Sequence, residues 1–146
     1  MFLKFVESLL VKLKGLKFIN YTTFNLDLKY FKLSEFDCPC EKGSGKKMDK
    51  KFLEKLDYAR HNAGIPFRVT SGYRCEEHNL KVGGRVGSSH LKGLACDLAF
   101  NGSRECYLIV KSLLDVGINR IGISKKSRFI HCDVDNLKDD DVLWLY

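Results

Sequence analysis

The chain of 146 residues has only 2 prolines and 1 tryptophan, and it contains no low-complexity run. With 45% of its residues hydrophobic, that scarcity excludes general disorder and leaves enough apolar side chains for the core of one domain. No stretch of eighteen or more consecutive apolar residues occurs, so no segment reads as a membrane-crossing helix. Internal repeats, linkers, arginine-rich blocks and nucleic-acid motifs are missing as well. The net charge of +7 and the pI near 9.1 favour an anionic partner: nucleic acid, anionic lipid or an acidic cell-wall polymer. Because the lysines are spread along the chain and no motif accompanies them, nucleic acid is not an expected partner.

The N-terminus also lacks the uninterrupted apolar centre and small-residue cleavage site of a secretory signal. In MFLKFVESLLVKLKGLKFI, Phe2, Phe5, Val6, Leu9, Leu10, Leu13 and Leu16 recur at helical spacing. Lys4, Glu7, Lys12, Lys14 and Lys17 fall mostly on the other side. The pattern predicts an amphipathic helical extension over residues 1–25, docked on the domain in preference to lying on a membrane surface. The domain itself is expected over residues 26–146, as a monomer made in the cytoplasm.

What the chain does have is 6 cysteines: Cys38, Cys40, Cys75, Cys96, Cys106 and Cys132. Without a secretory context an even count does not establish a disulfide framework. Cys96 and Cys132 sit in apolar, strand-like runs where buried free thiols are ordinary, so mostly reduced cysteines are expected. Cys38-Pro39-Cys40 offers two thiolates toward a structural zinc site, a weak signal by itself.

Periodicity predicts a helix over Met48–Asn62, with Met48, Phe52, Leu56 and Ala59 in one stripe and a stop at Gly64 and Pro66. FRVT (residues 67–70) reads as a short strand, and KVGGRVGSSH as loop. In LACDLAF the alternation puts Ala95, Asp97 and Ala99 on one face. Ser103 is the expected cap of a helix through Val116. INRIGIS and RFIHCDVD read as two strands joined by a tight turn at KKS. The expected fold class is α+β, a small antiparallel sheet packed against helices.

In RFIHCDVD the two-residue strand period groups Phe129, His131, Asp133 and Asp135 on one face, opposite an apolar set. Asp97 stands among small alanines, with room beside it. If the two strands are neighbours, Asp97 meets His131, and His90 can close over them from the preceding loop. Two imidazoles and one carboxylate with an open fourth position suit catalytic zinc, which acidifies a bound water and polarises a carbonyl.

Ser71-Gly72-Tyr73-Arg74, Ser88 and Ser89-His90-Leu91-Lys92-Gly93-Leu94-Ala95-Cys96-Asp97, and Phe129-Ile130-His131-Cys132-Asp133 together resemble the zinc D-alanyl-D-alanine carboxypeptidase family. That family of murein peptidases includes VanX-type dipeptidases and phage endopeptidases. LSEFDCPC (residues 33–40), Asn79 and Gly83-Gly84 resemble its phage and bacterial branch, and the likeness covers roughly residues 30–146. The resemblance implies a hedgehog/D-Ala-D-Ala-peptidase-like fold, Zn2+ held by His90, Asp97 and His131, and a peptidoglycan peptide as substrate. It places Arg74 near the substrate carboxylate or scissile carbonyl, as a planar fork that binds or stabilises an anion. Ser88 and Tyr73 are further substrate-side candidates. Many relatives carry an acidic general base three residues before the second histidine, where this chain has Arg128. Asp133 is the expected substitute base, or else a partner that orients His131.

The expected activity is hydrolysis of a peptide bond in peptidoglycan stem peptides or cross-links, next to a D-amino acid. The rival is a zinc-stabilised cell-wall-binding module without turnover, which Arg128 favours. Asp135 is expected to face solvent, His61 to lie on the surface, His78 to make local contacts, and Tyr73 and Trp144 to serve packing more than substrate.

Overall fold

A computed structural model describes residues 27–146. The helix expected over residues 1–25 lies outside them. Two short 3-10 turns, Leu33–Phe36 and Ser44–Lys47, precede α1 (Lys50–Ala63), β1 (Arg68–Ser71) and α2 (Glu76–Lys81). A third 3-10 turn, Ser89–Lys92, leads into β2 (Ala95–Ala99), α3 (Gly102–Asp115), β3 (Arg120–Ser124), β4 (Phe129–Asp133) and β5 (Val142–Leu145). The five strands form one sheet in the order β1-β2-β4-β3-β5, antiparallel throughout except for the parallel pair β3–β5. The fold is α+β, as the sequence predicts, and the parallel edge strand β5 is an addition.

Local chemistry explains the elements. The Asp49 carboxylate accepts a hydrogen bond from Phe52 N at 2.8 Å, which satisfies one of the unpaired N–H groups that open α1. Phe52, Leu53, Leu56 and Ala59 recur on one face of the helix and are fully buried. They meet Ile109 and Leu113 of α3, and both helices pack over Cys96, Leu98, Ile121, Ile130 and Cys132 on one side of the sheet. That apolar layer leaves the other side of the strands free to carry polar groups.

Two local expectations are corrected. Ser103 does not cap α3: the helix starts at Gly102, and the Glu105 carboxylate reaches back to the Asn101 N–H instead. EEHNLK closes a short helix, with the Cys75 sulfur accepting from His78 N. The β3–β4 turn spans four residues rather than the three of KKS, since Ser124 pairs with Phe129 and Arg128 turns out of the strand at φ 53°. One residue more in a turn reassigns every cross-strand partner, so Arg120 stands opposite Asp133 and Gly122 opposite His131.

Gly93 ends the Ser89–Lys92 turn at φ 69°, and a Cβ there would lie 2.3 Å from the Lys47 carbonyl oxygen. The Gly93 carbonyl also accepts from Asp49 N at 2.9 Å, tying the turn to the start of α1. Gly93→Ala therefore meets both a left-handed backbone and a clash with main chain. It is expected to destabilise the protein by about 2–4 kcal/mol in urea denaturation; a loss below about 0.5 kcal/mol would contradict this packing.

Candidate metal centre

The sheet register builds the centre. Ser71 pairs with Asp97, Asp97 with His131, His131 with Gly122, and Gly122 with Trp144. These five residues form one row across five strands, on the face opposite the helices. His90 comes from the Ser89–Lys92 turn, where the Ser88 hydroxyl accepts from His90 N at 3.4 Å.

His90, Asp97 and His131 are all buried, and each contributes one donor atom to a group within 4.8 Å of one another. His90 Nε2 lies 3.3 Å from His131 Nδ1 and 3.3 Å from Asp97 Oδ1, while His131 Nδ1 lies 2.9 Å from Asp97 Oδ1. A tetrahedral zinc with bonds of about 2.0–2.1 Å to nitrogen and oxygen holds its ligand atoms about 3.3–3.4 Å apart, so the spacing nearly matches.

The outer atom of each ligand is already engaged. His90 Nδ1 donates to the Gly72 carbonyl at 2.7 Å, which turns the Nε2 lone pair inward. His131 Nε2 donates to Asp133 Oδ2 at 2.9 Å, which turns Nδ1 inward. Arg74 Nη2 donates to Asp97 Oδ2 at 2.7 Å, leaving Oδ1 to the centre. Facing lone pairs repel, so the arrangement requires either a proton or a cation between them. Burial alone would lower the His131 pKa, but the Asp133 and Asp97 carboxylates outweigh it and push it up to about 9. Burial alone would raise the Asp97 carboxyl; hydrogen bonds from His131 and His90 hold it well below the usual carboxylate range. A metal bound between these atoms would compete with a proton for the same lone pairs. Two imidazole nitrogens and a carboxylate oxygen are a donor set suited to zinc.

Asp133 lies on the opposite edge of the His131 ring from the donor atom Nδ1. Its Oδ1 accepts from Arg120 Nε at 2.8 Å and from Asp135 N at 3.0 Å. Burial raises its pKa, but the hydrogen bonds from His131 and Asp135 N prevail and leave it lowered. Arg128 sits exposed in the β3–β4 turn, away from this row.

Arg74 is drawn to Asp97 and also donates from Nε to Ser71 Oγ at 2.8 Å. Tyr73 packs against the core, with Lys47 Nζ 4.9 Å from its ring centroid. Ser88 is occupied as the cap of the His90 turn. His61 is exposed and its Nδ1 pairs with the Tyr30 hydroxyl at 2.6 Å.

Asp135 is a correction: it is buried, not solvent-facing. It accepts from Ser89 Oγ at 2.9 Å and from Lys92 Nζ at 2.9 Å, so it locks the turn that carries His90. Its place just past β4, where the strand alternation has ended, hides this from sequence. One further residue, Arg120, escapes sequence reading, whereas Trp144 serves packing as expected. Arg120 would have been found from a four-residue β3–β4 turn. Trp144 lies with its ring 5.5 Å from that of His131, over Gly122, where a Cβ would come within 2.4 Å of the indole.

Fold and site together present two histidines and an aspartate that could hold one cation. The chain belongs to the peptidase M15 family, whose family model matches residues 29–133. No curated protein is similar enough to the chain to be matched. The family makes metallopeptidase the class of activity and a peptide the class of substrate.

Asp135 tests the scaffold around His90. Burial raises its carboxyl, but Lys92 and Ser89 prevail and lower its pKa from the ordinary 3.8 to about 2. A depressed carboxylate contributes stability above its unfolded value that is lost as pH falls through the folded one. Asp135→Asn is expected to cost about 2 kcal/mol at pH 7. In denaturation at successive pH values the difference from wild type should close between 3.8 and about 2. A pH-independent gap would contradict the ion pair.

Proposed function

We propose that the protein is a zinc metallopeptidase acting on peptidoglycan. It hydrolyses a peptide bond in the stem peptides or cross-links, next to a D-amino acid. The reading rests on the three inward-facing donor atoms of His90, Asp97 and His131, each fixed by a partner on its far side. A bound zinc ion supplies Lewis acidity, lowering the pKa of water toward neutrality and polarising a carbonyl.

The chain's own residues supply orientation and charge. Arg74 hydrogen-bonds through Nε and Nη2, which leaves Nη1 to meet a substrate carboxylate or a developing oxyanion. Asp133 is a positioning residue: it holds the His131 tautomer and raises the basicity of Nδ1, with Arg120 keeping it charged. Trp144 walls the His131 side of the row and limits water there. The net charge of +7 favours residence on an anionic wall. The protein is made in the cytoplasm, acts on the wall and works as a monomer.

Zinc-loaded protein incubated with purified peptidoglycan is expected to release new amino termini, to stop with a chelator and to recover with added zinc. No release at any pH tested would leave the zinc-stabilised binding module in its place. Asp133→Asn separates the two roles considered for that carboxylate. As a positioning residue its loss weakens zinc binding about 10–100-fold, and saturating zinc restores turnover. If activity stays lost at saturating zinc, Asp133 is the general base.

A further inference from the structure

Besides the His90, Asp97 and His131 centre, the described residues hold a second group of metal-ligand side chains. The sulfurs of Cys38, Cys40 and Cys75 lie within 4.8 Å of one another, brought together from positions far apart in the chain. Cys38 Sγ is 3.5 Å from Cys75 Sγ, and all six cysteines are free. A disulfide would set two sulfurs about 2.05 Å apart. Two thiolates on one tetrahedral zinc, at about 2.3 Å each, stand about 3.8 Å apart. The observed spacing is far too long for a disulfide and close to that of sulfurs sharing a cation.

The main chain is arranged for thiolates as well. Cys75 N donates to Cys38 Sγ at 3.4 Å, and His78 N donates to Cys75 Sγ at 3.4 Å. Such N–H groups favour the ionised sulfur that a metal requires. Three thiolates at this separation repel one another unless a cation lies between them. The pair Cys96 and Cys132 shows the contrast. Its sulfurs are also 3.5 Å apart, but they are enclosed in the hydrophobic core with no third donor. That pair is packing; the exposed edge at Cys40 and the partly open Cys75 give the other group access to solvent.

We propose that Cys38, Cys40 and Cys75 bind a second zinc ion, a structural one, which staples the segment around Leu33–Cys40 to the turn that carries Arg74. Three thiols lose their protons to solvent as the ion binds, and the fourth corner of the tetrahedron is left to another ligand. The segment from Phe31 to Met48 forms no helix or strand longer than two 3-10 turns, and the Asp37 carboxylate holds its loop by accepting from Gly43 N and Gly45 N. A main-chain bond ties it to the turn that carries Arg74, with Tyr73 N donating to the Phe36 carbonyl at 2.9 Å, and Arg74 N in turn donates to the His90 carbonyl at 3.2 Å. Cys75 directly follows Arg74, so a metal at Cys75 fixes the backbone from which both Arg74 and the Gly72 carbonyl reach the catalytic centre.

The test uses the full chain, kept reduced and loaded with cobalt(II). Thiolate-to-cobalt charge transfer absorbs in the near ultraviolet and arises only where sulfur is a ligand; the His90, Asp97 and His131 centre has none. The expected result is a thiolate band in wild type that persists in His131→Ala and in Cys96→Ser. The band should be lost in Cys40→Ser/Cys75→Ser, with one equivalent less zinc per chain than wild type. If the double variant does not fold, Cys40→Ser alone is used. Cys40 is exposed, so that change disturbs no core, and it should diminish the band and weaken retention of the second zinc. A wild type with no thiolate band, a band unchanged in the cysteine variants, or a Cys38–Cys75 disulfide in protein kept reduced would overturn the proposal.

Discussion

The whole centre depends on three polar atoms held face to face around a point that calls for a positive charge. His90 Nε2 and His131 Nδ1 stand 3.3 Å apart, both turned inward because their other ring nitrogens are already donating. Asp97 adds a carboxylate oxygen to the same point while Arg74 takes its other oxygen. No packing force favours this convergence. It persists because each outer hydrogen bond is made with a group that is itself fixed: a backbone carbonyl, a buried carboxylate held by Arg120, and a guanidinium anchored on Ser71. Polar atoms fixed from their outer side and converging on their inner side make a binding site for a positive charge.

The fold supplies that rigidity by dividing labour between the faces of one sheet. Leu98, Ile121 and Ile130 anchor the strands to α1 and α3, and their neighbours in sequence project the opposite way into the row Ser71, Asp97, His131, Gly122 and Trp144. Hydrophobic burial on one face therefore fixes the spacing of metal ligands on the other. His90 is the exception, arriving on a turn. Its position is secured by Asp135 through Ser89 and Lys92, and by Gly93 against the entry to α1. Loops that must hold a ligand to within a few tenths of an ångström need such outside support.

Much of this was legible in the residues. Strand alternation in LACDLAF and RFIHCDVD places Asp97 and His131 on matching faces, and the two strands do pair in that register. Phe52, Leu56 and Ala59 of the expected stripe do lie on the buried face of α1, but the helix begins at Lys50 behind its Asp49 cap, so Met48 is buried from outside it. What sequence missed depended on a count or on contacts between distant segments. A turn of four residues instead of three moved Arg120 opposite Asp133 and removed Arg128 from the strand. Asp135 read as solvent-facing because its partners, Ser89 and Lys92, come from another part of the chain. Likewise, Cys38 and Cys40 gained meaning only when the fold delivered Cys75.

The most direct measurement is X-ray diffraction from zinc-soaked crystals at wavelengths on either side of the zinc absorption edge. The account predicts an anomalous peak within bonding distance of His90 Nε2, Asp97 Oδ1 and His131 Nδ1, present above the edge and absent below it. Full-occupancy protein density with no such peak among those three atoms would contradict it.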